Sequence, residues 1–188
     1  MSAVNGGAMS VAREARQGSK DVLEVALSAF EAARGGDTAL LRSALDAGMP
    51  AQARNEKGDT LLMLASYHGH AEAAGLLLER GANPDAANDR GQTPLAGAAF
   101  KGDVAMAALL LDGGAAVDAT DPQGRTALFF AAIFDRLELV ELLLARGAEP
   151  GRIDDTGASP LAAARAMGAV RTAAVLELRA VAPARQVG

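Results

Sequence analysis

Two histidines separated by one residue, His68 and His70, are the side chains of this sequence best suited to metal chemistry. Imidazole nitrogens bind zinc well, but a zinc site needs three or four protein ligands at helical or hairpin spacing. The chain has no cysteine, and no third ligand stands at such a spacing from the pair. We therefore interpret both histidines as structural and predict neither a metal nor a cofactor.

The paired carboxylates of Asp154 and Asp155 are the second candidate for chemistry, and we interpret them as a solvated hairpin tip. The serines lack a nucleophile-elbow context, and the glycine pairs Gly6-Gly7 and Gly113-Gly114 lack the Gly-Lys-Ser/Thr ending of a phosphate loop. Catalysis would need clustered titratable groups, and the sequence offers only His68 near Lys101. We predict that the protein is not an enzyme.

Charge and composition exclude further classes of function. The chain has 18 basic and 23 acidic residues, a net charge of −5, so nucleic acid is not an expected partner. The absence of cysteine suits a reducing cytoplasm. Residues 1–20 lack the apolar block of an export signal, and no apolar run approaches the roughly 20 residues that span a bilayer. We expect a soluble, cytoplasmic protein with no membrane contact, and the Ala-, Gly- and Arg-rich composition is typical of GC-rich bacterial genomes.

A period of 33 residues organises most of the chain. Glycine recurs at 58, 91, 124 and 157 without one insertion, and three further columns keep the same interval. A fixed period of this size indicates a stacked array of helical units. The three columns are Thr60/Thr93/Thr126/Ser159, Leu62/Leu95/Leu128/Leu161 and Ala65/Ala98/Ala131/Ala164.

The unit from Asn88 to Thr120 illustrates how one repeat should fold. Gly91 fits a polar turn, Thr93 can cap a helix, and Pro94 suits its first position. Gly102 predicts a left-handed stop, and Asp103 can cap a second helix that ends at Gly113-Gly114. Helices this short are marginal alone, so stacking must stabilise them.

These residues resemble the ankyrin-repeat family, whose signature combines Thr-Pro-Leu-His, an Ala pair and Leu-Leu…Gly-Ala. Thr93-Pro94-Leu95-Ala96 and Ser159-Pro160-Leu161-Ala162 are similar to the first element, and Leu77-Leu78…Gly81-Ala82 is similar to the last. No unit keeps the histidine after leucine, so its bonds between repeats should be missing. Asp135 replaces the glycine after a first helix, at some backbone strain.

We predict an all-α ankyrin-repeat solenoid of helix-turn-helix units with hairpin-like turns, about five units including two caps. The units span about 21–54, 55–87, 88–120, 121–153 and 154–180, between a flexible segment 1–20 and a tail 181–188. The first unit has lost its hairpin signature, as a starting cap would. The last helix is expected over Arg171 to Leu178, with Arg171, Glu177 and Arg179 available to solvent.

The resemblance implies that a concave face, made by hairpin tips and first helices, holds a protein partner. Two columns at the end of the first helix should face that groove. The first contains Tyr67, Phe100 and Ile133, the second contains His68, Lys101 and Phe134, and Phe129 and Met167 are further members. Phe30 and Phe130 are assigned to packing. The alternative is that the groove rings complete an aromatic-poor core. The tips predicted to form the polar rim of the same surface are Glu56, Lys57, Asp59, Asp89, Arg90, Gln92, Gln123 and Arg125.

The expected function is therefore a protein–protein interaction module, an adaptor or regulator that is monomeric when unbound. A second hypothesis is an architectural accessory subunit of a larger assembly, with no ligand in the groove. Hydrophobic groove residues favour the first hypothesis.

Overall fold

A computed structural model describes residue 24 and residues 26–181 of the chain. The predicted flexible segment 1–20 and residues 182–188 of the predicted tail lie outside the described residues. Helix α1 occupies residues 26–35, and residue 24 is also helical. The following helices are α2 (Thr38–Asp46), α3 (Leu61–Tyr67), α4 (Ala71–Glu79), α5 (Pro94–Lys101), α6 (Val104–Asp112), α7 (Ala127–Ile133), α8 (Leu137–Ala145), α9 (Pro160–Ala166) and α10 (Val170–Val181).

Each predicted unit is one helical pair, and the pairs stack in two layers. The first helices α3, α5, α7 and α9 pack in sequence, each on the next, and the second helices α2, α4, α6 and α8 do the same. Among the described residues, β pairing is limited to two isolated antiparallel bridges, Arg54 with Thr60 and Thr120 with Thr126. The prediction of an all-α solenoid is confirmed. The helices of the described part of the chain are too short or too polar to traverse a bilayer.

The first helix of each of the last four units is capped by the hydroxyl of the predicted threonine or serine column. The Thr60 and Thr93 hydroxyls accept hydrogen bonds from Met63 N (3.1 Å) and Ala96 N (3.2 Å). Thr126 and Ser159 make the equivalent bonds in the next two units. Each bond satisfies one of the free N–H groups at a helix start. The repeated threonine or serine thus fixes where the first helix of each unit begins.

Leucine and alanine columns form the core between the layers. Leu62, Leu95 and Leu128 are at most 1% exposed, and the alanines of the 65/98/131/164 column are fully buried. Alanine allows neighbouring first helices to approach closely, which explains how a chain with few aromatic residues packs densely. The position after leucine, where the family has histidine, is also buried and apolar at Met63, Ala96 and Phe129.

An Asn or Asp column that the sequence reading did not single out shapes the hairpin tips. In the third unit, Asn88 Oδ1 accepts hydrogen bonds from Arg90 N and Gln92 N, both at 3.0 Å. Such a side chain replaces backbone partners in a tight turn. A short polar residue three positions before each turn glycine is the signal that identifies the column, which comprises Asn55, Asn88, Asp121 and Asp154.

The histidine that the family has after leucine is absent from every unit, so other groups make the hydrogen bonds between units. His70 Nε2 lies 2.9 Å from Arg34 O of the preceding unit, so one ring nitrogen is used in stacking. Four more hydrogen bonds in the loops join consecutive units. Gln52 Nε2 donates to Gly81 O (2.7 Å), Arg54 Nη1 donates to Ala87 O (2.6 Å), and the Asp85 and Asp118 carboxylates accept from Ala116 N (3.0 Å) and Glu149 N (3.2 Å).

Asp135 has the positive φ that the sequence predicts, at +52°. Its carboxylate accepts hydrogen bonds from Arg171 Nε (2.9 Å) and Thr172 N (3.0 Å) of the last unit. Arg171 and Glu177 are exposed to solvent, as expected, and each also forms an ion pair, Arg171 with Asp135 and Glu177 with Arg165. The last helix also begins at Val170 and runs to Val181, beyond its predicted bounds. Asp135 therefore offsets its backbone strain by joining α10 to the preceding unit.

Replacing Gly91 with alanine should destabilise the protein more than the same change at Gly157. Both glycines have left-handed φ angles, +73° and +81°, so each substitution costs about 1–2 kcal/mol of backbone strain. A Cβ at Gly91 would also lie 2.2 Å from Pro122 Cδ of the next tip, whereas nothing lies within 4 Å at Gly157. Displacing the proline should add roughly 1–3 kcal/mol. Chemical denaturation of both variants measures the difference, and equal losses would show that the tips do not stack.

The Asp135→Asn variant should lose stability at neutral pH and little at acidic pH. The Arg171 guanidinium and the Thr172 N–H hold the pKa of the Asp135 carboxyl below its usual value. A lowered folded-state pKa stabilises the protein above the unfolded pKa of about 4, and this contribution is lost as pH falls through the folded-state pKa. Asparagine keeps a side chain that tolerates positive φ. Melting curves should therefore separate the two proteins at pH 7 and converge at pH values below the lowered folded-state pKa of Asp135. A gap that does not change with pH would contradict this account.

Candidate functional site

The exposed ends of the first helices carry three aromatic rings in consecutive units. The column leucines and alanines of helices α3, α5 and α7 are buried. The aromatic residues at the ends of these helices, Tyr67, Phe100 and Phe134, are exposed. These side chains are 43%, 47% and 38% exposed. Most large apolar side chains here are buried, so three exposed rings at the ends of consecutive first helices form a distinct surface feature. Tyr67 and Phe100 are 33 residues apart, and Phe134 lies one position beyond the same column. We call Tyr67, Phe100 and Phe134 the aromatic stripe.

Contacts between units hold the stripe in place. Phe100 and Phe134 meet edge to face, with ring centroids 5.0 Å apart and an interplanar angle of 82°. The Lys101 ammonium lies 4.9 Å from the centroid of the Tyr67 ring. Both geometries are favourable, the first through the ring quadrupoles and the second as a cation–π contact. The rings are therefore pre-positioned rather than free to rotate independently.

The other apolar residues predicted for this surface divide between surface and core. Met167, in the register position of Phe134, is 63% exposed, and Ile133 is half-buried. Phe129 is only 8% exposed, so its predicted place on the open surface is corrected. It lies in the buried column after leucine, where its ring packs inside the stack. Phe30 and Phe130 pack against the core, as expected.

Two exposed valines lie close in sequence to the ends of first helices and are not among the predicted site residues. Val104 and Val170 are the first residues of the second helices α6 and α10, three positions after Lys101 and Met167. Both are exposed. Both valines can be identified in the sequence as apolar residues directly after the cap of a second helix. A surface position of this kind is ordinarily polar.

Basic groups lie beside the rings. The His68 ring contacts the Tyr67 ring edge to face, with centroids 5.6 Å apart, and lies parallel to the His70 ring at 6.4 Å. Partial burial and the neighbouring charges of Arg34, His70 and Lys101 hold the pKa of His68 below its usual value of 6.5. His68 is therefore mainly neutral at pH 7, and the charges that act on it are all basic.

The histidine pair lacks the surroundings of a metal or catalytic site. His70 Nε2 is occupied by Arg34 O. Within residues 24 and 26–181, no third His, Cys, Asp or Glu joins the pair in a cluster that could hold a metal ion. Asp154 accepts hydrogen bonds from Thr156 Oγ1 and Ala158 N, and Asp155 N donates to Gln123 O, so both belong to the tip structure. The arrangement can offer rings and charges to a ligand, but it shows no paired acid and base.

The hairpin tips differ in how much of their polar surface is free. Glu56, Lys57, Asp89, Arg90, Gln92 and Gln123 are exposed. Asp59 is half-buried and accepts a hydrogen bond from Asn88 Nδ2 at 2.8 Å. Arg125 pairs with the nearly buried Asp121 carboxylate at 2.7 Å, and its guanidinium lies 5.0 Å from the Phe130 ring centroid. Asp59 and Arg125 therefore have structural partners already. Gln92 and Gln123 are exposed but accept hydrogen bonds from Asn88 Nδ2 and Arg125 Nη2, and Glu56, Lys57, Asp89 and Arg90 present their side chains to solvent.

Comparisons with known proteins agree with the stack of helical pairs described above. A family model described as ankyrin repeats matches the chain in three overlapping copies, at residues 29–121, 76–154 and 98–177. One curated relative is "Putative ankyrin repeat protein PA3287" of Pseudomonas aeruginosa, with 54% identity over 47 residues. That similarity spans 25% of this chain and 28% of the relative's length.

Proposed function

The chain belongs to the ankyrin-repeat family, and we propose that it is an adaptor or regulator that binds one protein partner on its concave face. Ankyrin repeats in general mediate protein–protein interactions, and the family is generally non-enzymatic. The partner would lie along the aromatic stripe and reach the exposed hairpin tips.

The exposed stripe is the observation that carries this proposal. Tyr67, Phe100 and Phe134 keep 38–47% of their surface open, although the column leucines Leu62, Leu95 and Leu128 of the same helices are at most 1% exposed. Aromatic residues are enriched among the positions that dominate binding energy, because a large rigid surface is buried at a small entropy cost. A ring pair that is already assembled, such as Phe100 with Phe134, reduces that cost further.

The tips would contribute specificity to the same surface. Their charges are of both signs, with Lys57 and Arg90 beside Glu56 and Asp89. Such a rim tunes association rate and partner choice more than affinity. We further propose that the unbound chain is a cytoplasmic monomer that binds neither nucleic acid nor membranes, in keeping with its net charge of −5.

Affinity capture tests the proposal. The wild-type chain and a Phe100→Ala/Phe134→Ala variant are used as baits in matched lysates, and the bound proteins are compared by mass spectrometry. We expect a partner that the wild type retains and the variant loses. Equal retention by both baits would refute groove binding. A wild type that assembles into a stable complex through another face would favour the architectural alternative.

A further inference from the structure

Each ring of the aromatic stripe has a basic group next to it. His68 follows Tyr67, Lys101 follows Phe100, and Arg136 lies two residues after Phe134. In the first unit, Arg34 occupies the register position of Tyr67, which adds a fourth basic residue to the same row. The chain as a whole has a net charge of −5, so this row is basic on a protein that is acidic overall.

Two of these basic residues carry a charge that no carboxylate of the described residues neutralises. Neither Lys101 nor Arg136 forms an ion pair with any residue that the structure describes. The Lys101 ammonium contacts the Tyr67 ring, and the Arg136 stem lies against Gly102, directly after Lys101. Both residues are exposed. They therefore remain available for a charged group brought by a ligand.

Three acidic residues beside the row, Asp135, Asp103 and Glu31, are engaged by the fold. Arg171 and Thr172 bind the Asp135 carboxylate, and the Asp103 carboxylate accepts a hydrogen bond from Met106 N at 3.0 Å. Glu31 pairs with Arg34. The stripe thus combines open rings with unpaired positive charge, and a ligand that suits both must combine apolar and acidic groups.

We propose that the occupant of the aromatic stripe is an acidic amphipathic segment of a partner protein. Its apolar side chains cover Phe100 and Phe134, and its Asp or Glu carboxylates reach Lys101 and Arg136. This inference rests on the proposed function, and it specifies the chemistry of the partner that binds there.

Selection from a random-peptide display library tests the inference with the full chain as bait. Peptides recovered on the wild type should be richer in Asp and Glu than the starting library and should also contain large apolar residues. Their affinity should fall roughly tenfold for Lys101→Glu/Arg136→Glu, because two favourable contacts become repulsive. The neutral Lys101→Gln/Arg136→Gln variant should lie between the two.

A matched charge reversal on the second helices provides the control. Arg42→Glu/Arg179→Glu changes the net charge equally at two exposed arginines that make no ion pair within the described part of the chain. It should bind the selected peptides like the wild type. Melting curves establish that each variant is folded.

Two outcomes separate the inference from the function on which it rests. Peptides that lose binding with Phe100→Ala/Phe134→Ala but show no acidic enrichment would overturn the inference and leave groove binding intact. The inference would also fail if both charge reversals weakened binding equally. Peptides indifferent to the loss of the two rings would overturn groove binding itself.

Discussion

Replacing Leu128 with alanine is expected to lower the free energy of unfolding by about 2–5 kcal/mol, the largest effect on stability that we predict. Leu128 is fully buried on α7, which packs against α5, α8 and α9. A solenoid unit contacts only its neighbours, so a cavity at a central helix weakens both interfaces at once. Chemical denaturation with a linear extrapolation measures the loss.

The matched control is Leu161→Ala, the same column in the last unit. Leu161 is only partly buried, because none of the described residues forms a further unit that stacks on α9. The Leu161→Ala variant should lose less than half as much free energy of unfolding as the Leu128→Ala variant. A loss at Leu161 equal to that at Leu128 would mean that burial does not follow the order of the stack.

The Phe100→Ala/Phe134→Ala variant is expected to lose roughly a hundredfold or more in affinity for the captured partner. Two central aromatic contacts that each contribute more than 1 kcal/mol account for a change of this size. The free energy of unfolding should fall by only about 1 kcal/mol, mainly from the lost edge-to-face contact, because both rings are already exposed. Calorimetric titration and thermal melting measure the two quantities separately.

Ile153→Ala/Leu178→Ala is the control for nonspecific loss of apolar surface. Both residues are exposed and lie outside the aromatic stripe, Ile153 directly before the last tip and Leu178 in the last turn of α10. This variant should bind the partner normally. If instead the ring variant melts far below the wild type and still binds, the rings belong to the core and not to an interface.

The periodic residues allowed most of the architecture to be predicted from the sequence. Thr93 caps α5 and Asp103 caps α6, and Gly102 has φ +78° between them, because each residue acts on its own few neighbours. The strain at Asp135 is a local property of the same kind, and it too was predicted. Identical spacing in every unit then extends these local assignments to the whole stack.

Interactions between distant residues escaped prediction because they depend on how the units meet. Phe129 and Phe134 lie in one helix region, yet only the arrangement of the neighbouring units buries the first ring and leaves the second open. The pairs of Arg171 with Asp135 and Arg165 with Glu177 likewise join residues 36 and 12 positions apart. The role of His70 in stacking could not be predicted either, because it depends on where Arg34 O of the preceding unit lies.

Amide hydrogen exchange on the complex with the captured partner tests most directly whether the aromatic stripe is the binding surface. Bound partner should slow exchange around residues 67–69, 100–102 and 133–136 and leave the second helices α4, α6 and α8 unchanged. Slower exchange confined to those second helices, with no change around the stripe, would contradict the account.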